Sequence, residues 1–579
     1  MVATDKQQAS PLWTTTTSEV RLTGTWREAK PDYHVAPSPC HGACPVQGDI
    51  ASWIQQVSRS EYYGAWLTLM ENNPFPAIAG RICHHPCETA CNRQQLDETV
   101  GICSLERFVG DMALTQSWAL PAIKQDDDCS VAIVGGGPAG LSCAYQLRRR
   151  GFKVALYEAR DQLGGLMRYG IPSYRLDRAI LDAEIERIID LGIDLHLEVE
   201  LQDQAALKRL HKEYDAVYLA TGASQSKNLP MLDYQQPWVL DSAAFLAAMS
   251  HGQNMLLGER ILVIGGGSAA IDTARSARRL GKAVTILALE PEHLLPAQTI
   301  EVTEALEEGV EFVCGAMMQS TQVKDKGVQL HCVKVDFSAG AERGEFAIDV
   351  LTGSEFNLVA DTVIPAIGQQ VDMDRWAGLL AADQGLAQTD QGWQTSCRGI
   401  FAGGDMASMD RFVTHAVGMG KQAAQAISHY LRPHTEVAQV KTEKPVGFEA
   451  INSYYYPISK RQKQKQTELE TRLDGFSEVQ QALSDHGAMI EAGRCFSCGT
   501  CTYCDNCFYH CPDMAITKLA TSEIDGSPNR AQSGPSRGIG YSIKSDYCKG
   551  CGLCVAECPT GSIIMREDSG CSTKQESCS

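Results

Sequence analysis

The stretch Ser130-Val-Ala-Ile-Val-Gly-Gly-Gly-Pro-Ala-Gly140 decides the fold. Val131–Val134 is a short apolar, β-branched run that reads as a strand of a parallel sheet. Pro138 then opens a helical segment that reaches Arg150. Gly135 allows the tight turn, Gly137 lets the backbone approach a pyrophosphate, and Gly140 lets helix and strand pack closely. A second strand, Lys153–Tyr157, ends in Glu158, an acid placed to accept a ribose 2′-hydroxyl. Together they describe a βαβ unit that binds a dinucleotide, with the phosphates facing the helix N-terminus.

The design recurs at Arg260–Glu290, with strand Ile261–Ile264, Gly265-Gly-Gly267-Ser-Ala-Ala270, helix Ser268–Leu280 and strand Ala283–Leu287. Ala270 takes the third small position, which the motif tolerates. The second strand leads into Glu290. An acid there favours the free 2′-hydroxyl of NAD(H) and repels the 2′-phosphate of NADP(H); the plainer reading is a solvated surface acid. Between residues 330 and 365, His331–Phe337, Glu345–Leu351 and Thr362–Pro365 alternate as strands do. Two such units predict an α/β multidomain chain with two nested Rossmann-like domains.

Composition bounds the rest. The 579 residues carry a net charge of −19, 44% hydrophobic and 21% charged residues, so disorder, collagen and coiled coil are excluded as the main architecture. No apolar run reaches a membrane span, and Met1-Val-Ala-Thr-Asp-Lys-Gln-Gln lacks a signal-peptide core, so a cytoplasmic protein is expected. The acidic balance argues against a nucleic-acid partner and suits a basic protein face. The 23 cysteines, without a secretory signal, point to metal or redox chemistry rather than disulfides. They cluster. Cys40, Cys44, Cys83, Cys87, Cys91 and Cys103 crowd the first part of the chain, and ten more lie from Cys495 to Cys558.

The expected organisation is an arm over 1–30, a helical domain over 31–125, a first dinucleotide domain in two parts (126–245 and 361–435) and a second over 246–360. A polar linker over 436–490, a sulfur-rich domain over 491–566 and a tail over 567–579 complete it. In the helical domain Asp49 and Ser52 can cap, and Ile50, Trp53, Ile54 and Val57 recur at helical spacing. Cys571 and Cys578 in the tail have no assigned role.

Cys501-x2-Cys504-x2-Cys507-x3-Cys511-Pro and Cys548-x2-Cys551-x2-Cys554-x3-Cys558-Pro are the two halves of a bacterial ferredoxin. Three thiolates on one tight loop bind a cubane and the fourth crosses over. Cys501, Cys504, Cys507 and Cys558 would hold one [4Fe–4S] cluster, and Cys548, Cys551, Cys554 and Cys511 the other. A zinc ribbon fits less well, because both copies carry a third cysteine and a trailing proline.

From Cys40 to Leu431 the chain resembles the glutamate synthase small subunit and its relatives, which include the large subunit of NADH-dependent ferredoxin:NADP oxidoreductase and the reductase half of dihydropyrimidine dehydrogenase. The resemblance rests on Cys83-x3-Cys87-Glu-x2-Cys91, Leu105-Glu-Arg-Phe108, Gly164-Gly-Leu-Met-Arg-Tyr-Gly-Ile-Pro172, Ala220-Thr-Gly222, Ala366-Ile-Gly368-Gln and Gly399-Ile-Phe-Ala-Gly-Gly-Asp405. It implies FAD on the first unit, touched by Gly135, Gly137, Pro138, Ala139, Gly140, Glu158, Gly165, Leu166, Arg168, Ile171, Leu201, Thr221, Gly222, Gly404, Asp405, Thr414 and Ala416. Asp405 would bind the ribityl or pyrophosphate region. The helix beginning near Thr414 would aim its amides at the flavin pyrimidine and stabilise reduced anionic flavin. The nicotinamide dinucleotide falls to Gly265, Gly267, Ser268, Ala269, Asp272, Glu290 and Gly368. NADPH-using relatives carry Tyr-Arg-Arg where this chain has Ala288-Leu-Glu290, which sharpens the preference for NADH.

The family also places two [4Fe–4S] clusters in its helical domain, beginning with an Arg-Cys-x2-Cys pair ahead of the position of Cys40. That pair is absent here, since no cysteine precedes Cys40. Glu491-Ala-Gly-Arg-Cys495-x2-Cys498 resembles it, so the pair is expected to fold back and complete a cluster with Cys40 and Cys91. Cys44, Cys83 and Cys87 would hold the second cluster with a fourth ligand. The family puts Glu or Gln at the position of Glu106, which is favoured; Cys103, one helical turn earlier, competes. Four cubanes predict about 16 irons per chain.

No catalytic triad or supported carboxylate pair is present, so the chemistry belongs to the cofactors. The overall organisation resembles the DsrL-like iron–sulfur flavoproteins of dissimilatory sulfur metabolism. That resemblance implies NADH:acceptor oxidoreductase activity, with dissimilatory sulfite reductase as redox partner and a homodimer as one assembly state. An electron-supplying small subunit of glutamate synthase, an NADH:ferredoxin oxidoreductase subunit and a non-catalytic assembly protein are the competing readings.

Overall fold

The computed structural model describes residues 24, 27–34, 36–123, 128–253, 255–324, 327–340, 345–433, 444–520, 530–531 and 539–568. Most of the expected arm, the start of the expected linker, and a tail that includes Cys571 and Cys578 lie outside the described residues.

Two parallel sheets form the centre. The first orders its strands Ile400–Ala402, Ala216–Leu219, Ser130–Val134, Lys153–Tyr157 and Asp194–His196. The second orders Thr362–Pro365, Arg260–Ile264, Ala283–Leu287 and Glu311–Val313. Val131, Ala132 and Ile133 are fully buried, as a strand covered on both faces requires. Gly135 has φ +109°, and a Cβ there would stand 2.3 Å from the Ala220 carbonyl oxygen, so the turn tolerates only glycine. The helices Pro138–Arg149 and Ser268–Arg279 follow the two glycine loops.

Thr362–Pro365 pairs in parallel with Arg260–Ile264, so the second unit runs past the expected boundary at residue 360. Its outer layer is an antiparallel sheet of Ala316–Lys324, Gly327–Ala339, Phe346–Val350 and Phe356–Ala360.

The helical domain packs Ile50–Ser58, Tyr62–Met70, Pro76–Ile82 and Ile102–Thr115 around Trp53, Trp66 and Ile54. Asp49 stands at the N-cap position of the first of these without a side-chain capping bond, and Ser52 lies inside that helix. The long helix Val413–Leu431 joins this domain to the first sheet. A Cβ at Gly420 would meet the Ala139 carbonyl oxygen at 2.2 Å, and one at Gly418 the Pro45 carbonyl oxygen at 2.3 Å. Both sides therefore approach to backbone contact.

Two regions differ from expectation. Residues 444–490, within the expected polar linker, form a strap held to the rest of the chain by buried anchors. Arg81, 3% exposed at its side chain, pairs with Glu478 at 2.5 Å and Asp111 at 2.5 Å, and Arg107 reaches Glu478 at 2.9 Å. Arg472 pairs with Glu307 of the second unit at 2.8 Å. The other region is Ala29–Tyr33, which straddles the expected end of the arm. It pairs antiparallel with Ile563–Glu567, Tyr33 lying opposite Ile563. Polar composition conceals the strap's anchors, and the strand's partner lies at the opposite end of the sequence.

Candidate functional site

The first glycine loop is tied to the acid that follows it. The Gly136 amide donates to Glu158 Oε2 at 2.7 Å and the Arg160 amide to Glu158 Oε1 at 2.9 Å. A Cβ on Gly137 would find nothing nearer than Gly165 Cα at 3.9 Å, which leaves room for a pyrophosphate at the start of the helix. Gly404, beside Asp405 in a 3-10 turn, would set its Cβ 2.9 Å from that of Ala139 and 4.0 Å from that of Ala416. The structure therefore brings Ala139, Gly404, Asp405, Thr414 and Ala416 to one place. Gly222, at φ +68°, opens onto free space, and Thr221 Oγ1 contacts Met406 Sδ at 3.3 Å.

Three expected flavin residues also make structural contacts within the chain, and a fourth is partly exposed. Arg168 Nε donates to the Leu163 carbonyl at 2.6 Å, and its guanidinium pairs with Asp182, so it holds the Gly164–Gly165 turn. Leu201 is buried among Val134, Leu219 and Met406, Ile171 packs against the main core, and Leu166 is 40% exposed.

The second loop repeats the first. Gly265 N donates to the Leu287 carbonyl at 2.9 Å, as Gly135 N does to Tyr157 at 2.8 Å. A Cβ on Gly266 would stand 2.9 Å from Glu290 Oε2, against 3.0 Å from Gly136 to Glu158 Oε2. Glu290 thus occupies the position that Glu158 occupies in the first unit, and burial pushes its carboxyl above the ordinary value. Cβ atoms on Gly267 and Gly368 would meet nothing within 4 Å, and Ser268 and Ala269 open the helix. Asp272 is committed elsewhere. It pairs with Arg175 at 2.6 Å, Arg175 pairs with Glu301 at 2.5 Å, and burial raises the Asp272 carboxyl to about 6. This ion pair joins the two dinucleotide units rather than lining the second loop.

The cysteines fall into four groups. Cys40, Cys91, Cys495 and Cys498 line one cavity together with Ser38 and Asn92. Glu491 and Arg494 fasten the late pair there. Glu491 accepts from the amides of Gly101 at 2.6 Å and Gln462 at 2.7 Å, and Arg494 bonds Glu491 at 2.8 Å and Asp97 at 3.0 Å. Cys501, Cys504, Cys507 and Cys558 line a second cavity with Tyr33 and Tyr541. Cys548, Cys551, Cys511 and Cys507 lie near enough to Cys554 to raise its thiol, which burial first pushes up, to about 12. Glu106 and Cys83 likewise act on Cys44, whose buried thiol rises to about 11. Glu106 and both of those cysteines also act on Cys87.

The fourth-ligand question stays with two neighbours. Glu106 receives Asn73 Nδ2 at 2.8 Å, while the Cys103 thiol donates to the Ala79 carbonyl at 3.3 Å and also lies beside Cys83.

Backbone geometry unites three of the cysteine loops. Left-handed residues stand two and four positions after Cys495 (Ser497 φ 49°, Gly499 φ 73°), Cys501 (Tyr503 φ 56°, Asp505 φ 69°) and Cys548 (Gly550 φ 73°, Gly552 φ 77°). Such turns direct successive amides into an anion-binding concavity. Among the described residues no three His, Cys, Asp or Glu side chains converge on a single-ion point. Two of the groups each line a cavity: Cys40, Cys91, Cys495 and Cys498, and then Cys501, Cys504, Cys507 and Cys558. Burial disfavours bare thiolates at Cys40, Cys44, Cys87, Cys495, Cys501 and Cys554, and an iron cluster would supply the positive charge that offsets it. The donor sets fit that group.

Sequence reasoning missed the contacts between the flavin helix and the helical domain. Cys83 Sγ lies 3.9 Å from Thr414 Oγ1, which lies 3.4 Å from His84 Nδ1. The His84 ring stacks on Phe412 with centroids 3.8 Å apart. Tyr33, against Cys507, was also missed; no local pattern marks it.

Comparison with known proteins agrees with this layout. Residues 129–426 match the pyridine nucleotide-disulphide oxidoreductase family, 14–118 the dihydropyrimidine dehydrogenase domain II with its 4Fe-4S cluster, and 500–562 the 4Fe-4S dicluster domain. The chain is 32% identical over 496 residues to the NADP(+)-dependent formate dehydrogenase subunit beta of Moorella thermoacetica, covering 79% of this chain and 70% of that protein. It is 32% identical over 398 residues to the NAD-dependent dihydropyrimidine dehydrogenase subunit PreT of Salmonella typhimurium, covering 68% and 91%. The glutamate synthase [NADPH] small chain of Azospirillum brasilense is 30% identical over 440 residues, covering 71% and 88%. Among the described residues no helix is long and apolar enough to cross a membrane. The chain therefore belongs to the pyridine nucleotide-disulphide oxidoreductase family, as a member with 4Fe–4S domains on both sides of its dinucleotide-binding core.

Proposed function

We propose that this chain is an NADH:acceptor oxidoreductase that carries FAD on the first unit, NAD(H) on the second and four [4Fe–4S] clusters. FAD, when bound, exchanges hydride with the nicotinamide and single electrons with clusters. The supporting observation is a succession along the molecule. Thr414 of the flavin helix adjoins Cys83, Cys44 caps the short helix Pro39–Ala43 that carries Cys40, and Cys498 leads directly into the Cys501 loop. The chain's own residues would orient the dinucleotides through Glu158 and Glu290 and offer helix N-terminal amides to their phosphates.

Glu290 favours NADH, since its carboxylate would repel a 2′-phosphate. The relatives' names include both NAD and NADP, so the preference rests on this residue. For the acceptor we favour dissimilatory sulfite reductase, on the resemblance in overall organisation, with its C-terminal dicluster domain, and on Glu290. A second reading, an electron-supplying subunit of glutamate synthase or of another reductase, is favoured by the relatives, each named as a subunit or small chain.

Capture of the native protein with its partner separates the two: sulfite reductase subunits support the first reading, and a glutamate synthase large subunit replaces it with the second. Dye reduction with each nicotinamide tests Glu290. Equal or better efficiency with NADPH would sink the NADH assignment.

A further inference from the structure

Tyr33 reaches the second cysteine cavity from the far end of the sequence. Its hydroxyl lies 3.4 Å from Cys507 Sγ, and the residue is 6% exposed. Antiparallel pairing of Ala29–Tyr33 with Ile563–Glu567 fixes the position, because Tyr33 stands opposite Ile563 on the strand that follows Cys558. Its ring stacks on Tyr541 with centroids 6.3 Å apart. Tyr541 lines the same cavity, but its hydroxyl donates to Asp505 Oδ1 at 2.5 Å and not to a sulfur.

We infer that the Tyr33 hydroxyl donates to the Cys507 thiolate and raises the reduction potential of the cluster held by Cys501, Cys504, Cys507 and Cys558. The inference rests on the reading that these four cysteines hold a cluster. A cluster gains negative charge on reduction, and part of it falls on the sulfurs. A donor fixed on a ligand sulfur stabilises the reduced form more than the oxidised one. Burial strengthens the effect by keeping water from substituting for the hydroxyl. Tyr33 touches no reacting atom and acts through Cys507, so it is a positioning residue.

The test is an EPR-monitored redox titration of the holoenzyme with Tyr33→Phe, which keeps the ring and removes the donor, alongside Tyr541→Phe. Tyr33→Phe is expected to make this cluster about threefold to tenfold harder to reduce, tenfold being 59 mV for a one-electron couple. The neighbouring cluster should not move, and Tyr541→Phe should have the smaller effect. An unchanged potential overturns the inference, as does an equal shift in both clusters or an equal shift with Tyr541→Phe. Loss of this cluster's iron in Tyr33→Phe also overturns it, making Tyr33 a purely structural residue. Absence of the cluster's signal in the unmodified protein would instead refute the cluster reading itself.

Discussion

The two sulfur-rich regions solve the same problem by different means. The dicluster domain takes all eight of its cysteines from one segment, 501–558, whose tight loops preset them through left-handed residues. The cavity of Cys40, Cys91, Cys495 and Cys498 is assembled from distant segments, as the bond from Asn92 to Cys498 across 406 positions shows. Loop-closure entropy grows only logarithmically, about 0.6 kcal/mol per doubling, so the distance itself costs little. What the distant pair needs is an anchor. Glu491 and Arg494 supply it, with side chains 0% and 2% exposed. Both sites use left-handed turns, and the distant one adds buried ion pairs.

The largest test of that contrast is the double change Cys495→Ala and Cys498→Ala. Iron should fall from about 16 to about 12 per chain, with the EPR signals of both dicluster-domain centres retained. Loss of those signals instead would make the pair part of the dicluster domain. Arg494→Ala comes next. It leaves Glu491 buried without its cation, and unfolding in denaturant should show a loss of about 3–5 kcal/mol. A loss under about 1 kcal/mol would mean that the anchor lies elsewhere. Smaller again, Glu106→Ala should remove about one iron from the centre near Cys44, while Cys103→Ala leaves the iron count unchanged; the reverse pattern identifies Cys103 as the ligand. Arg27→Ala breaks a largely shielded pair with Asp568 at 2.6 Å and a bond to the Cys548 carbonyl at 3.2 Å, and should cost about 1–2 kcal/mol in thermal unfolding.

Both glycine loops were legible because local geometry dictates them. A strand, a turn that only glycine can make and a following acid give the same arrangement wherever they occur, and the Glu158 and Glu290 placements agree to 0.1 Å about their loops (3.0 and 2.9 Å). The relocated pair was legible only as a surplus of cysteines, with the resemblance supplying its destination. The strap and the N-terminal strand were not. Glu478 reads as an ordinary surface acid until Arg81 and Arg107 lie beneath it. Asp272 sits where a helix starts toward a cofactor, yet Arg175, from the loop after Pro172, claims its carboxylate. In each case the deciding partner is remote in sequence, and no periodicity encodes it.

The pairing of Ala29–Tyr33 with Ile563–Glu567 also sets an order in time. At ribosomal rates of about 5–20 residues per second, the early strand and the thiols of Cys40 and Cys91 emerge long before their partners, by roughly 20 seconds to nearly two minutes. Completion of the Cys40 cavity must therefore wait for synthesis of Cys495 and Cys498. A prematurely terminated chain would leave its early thiols and the edge of the Ala29–Tyr33 strand unpartnered.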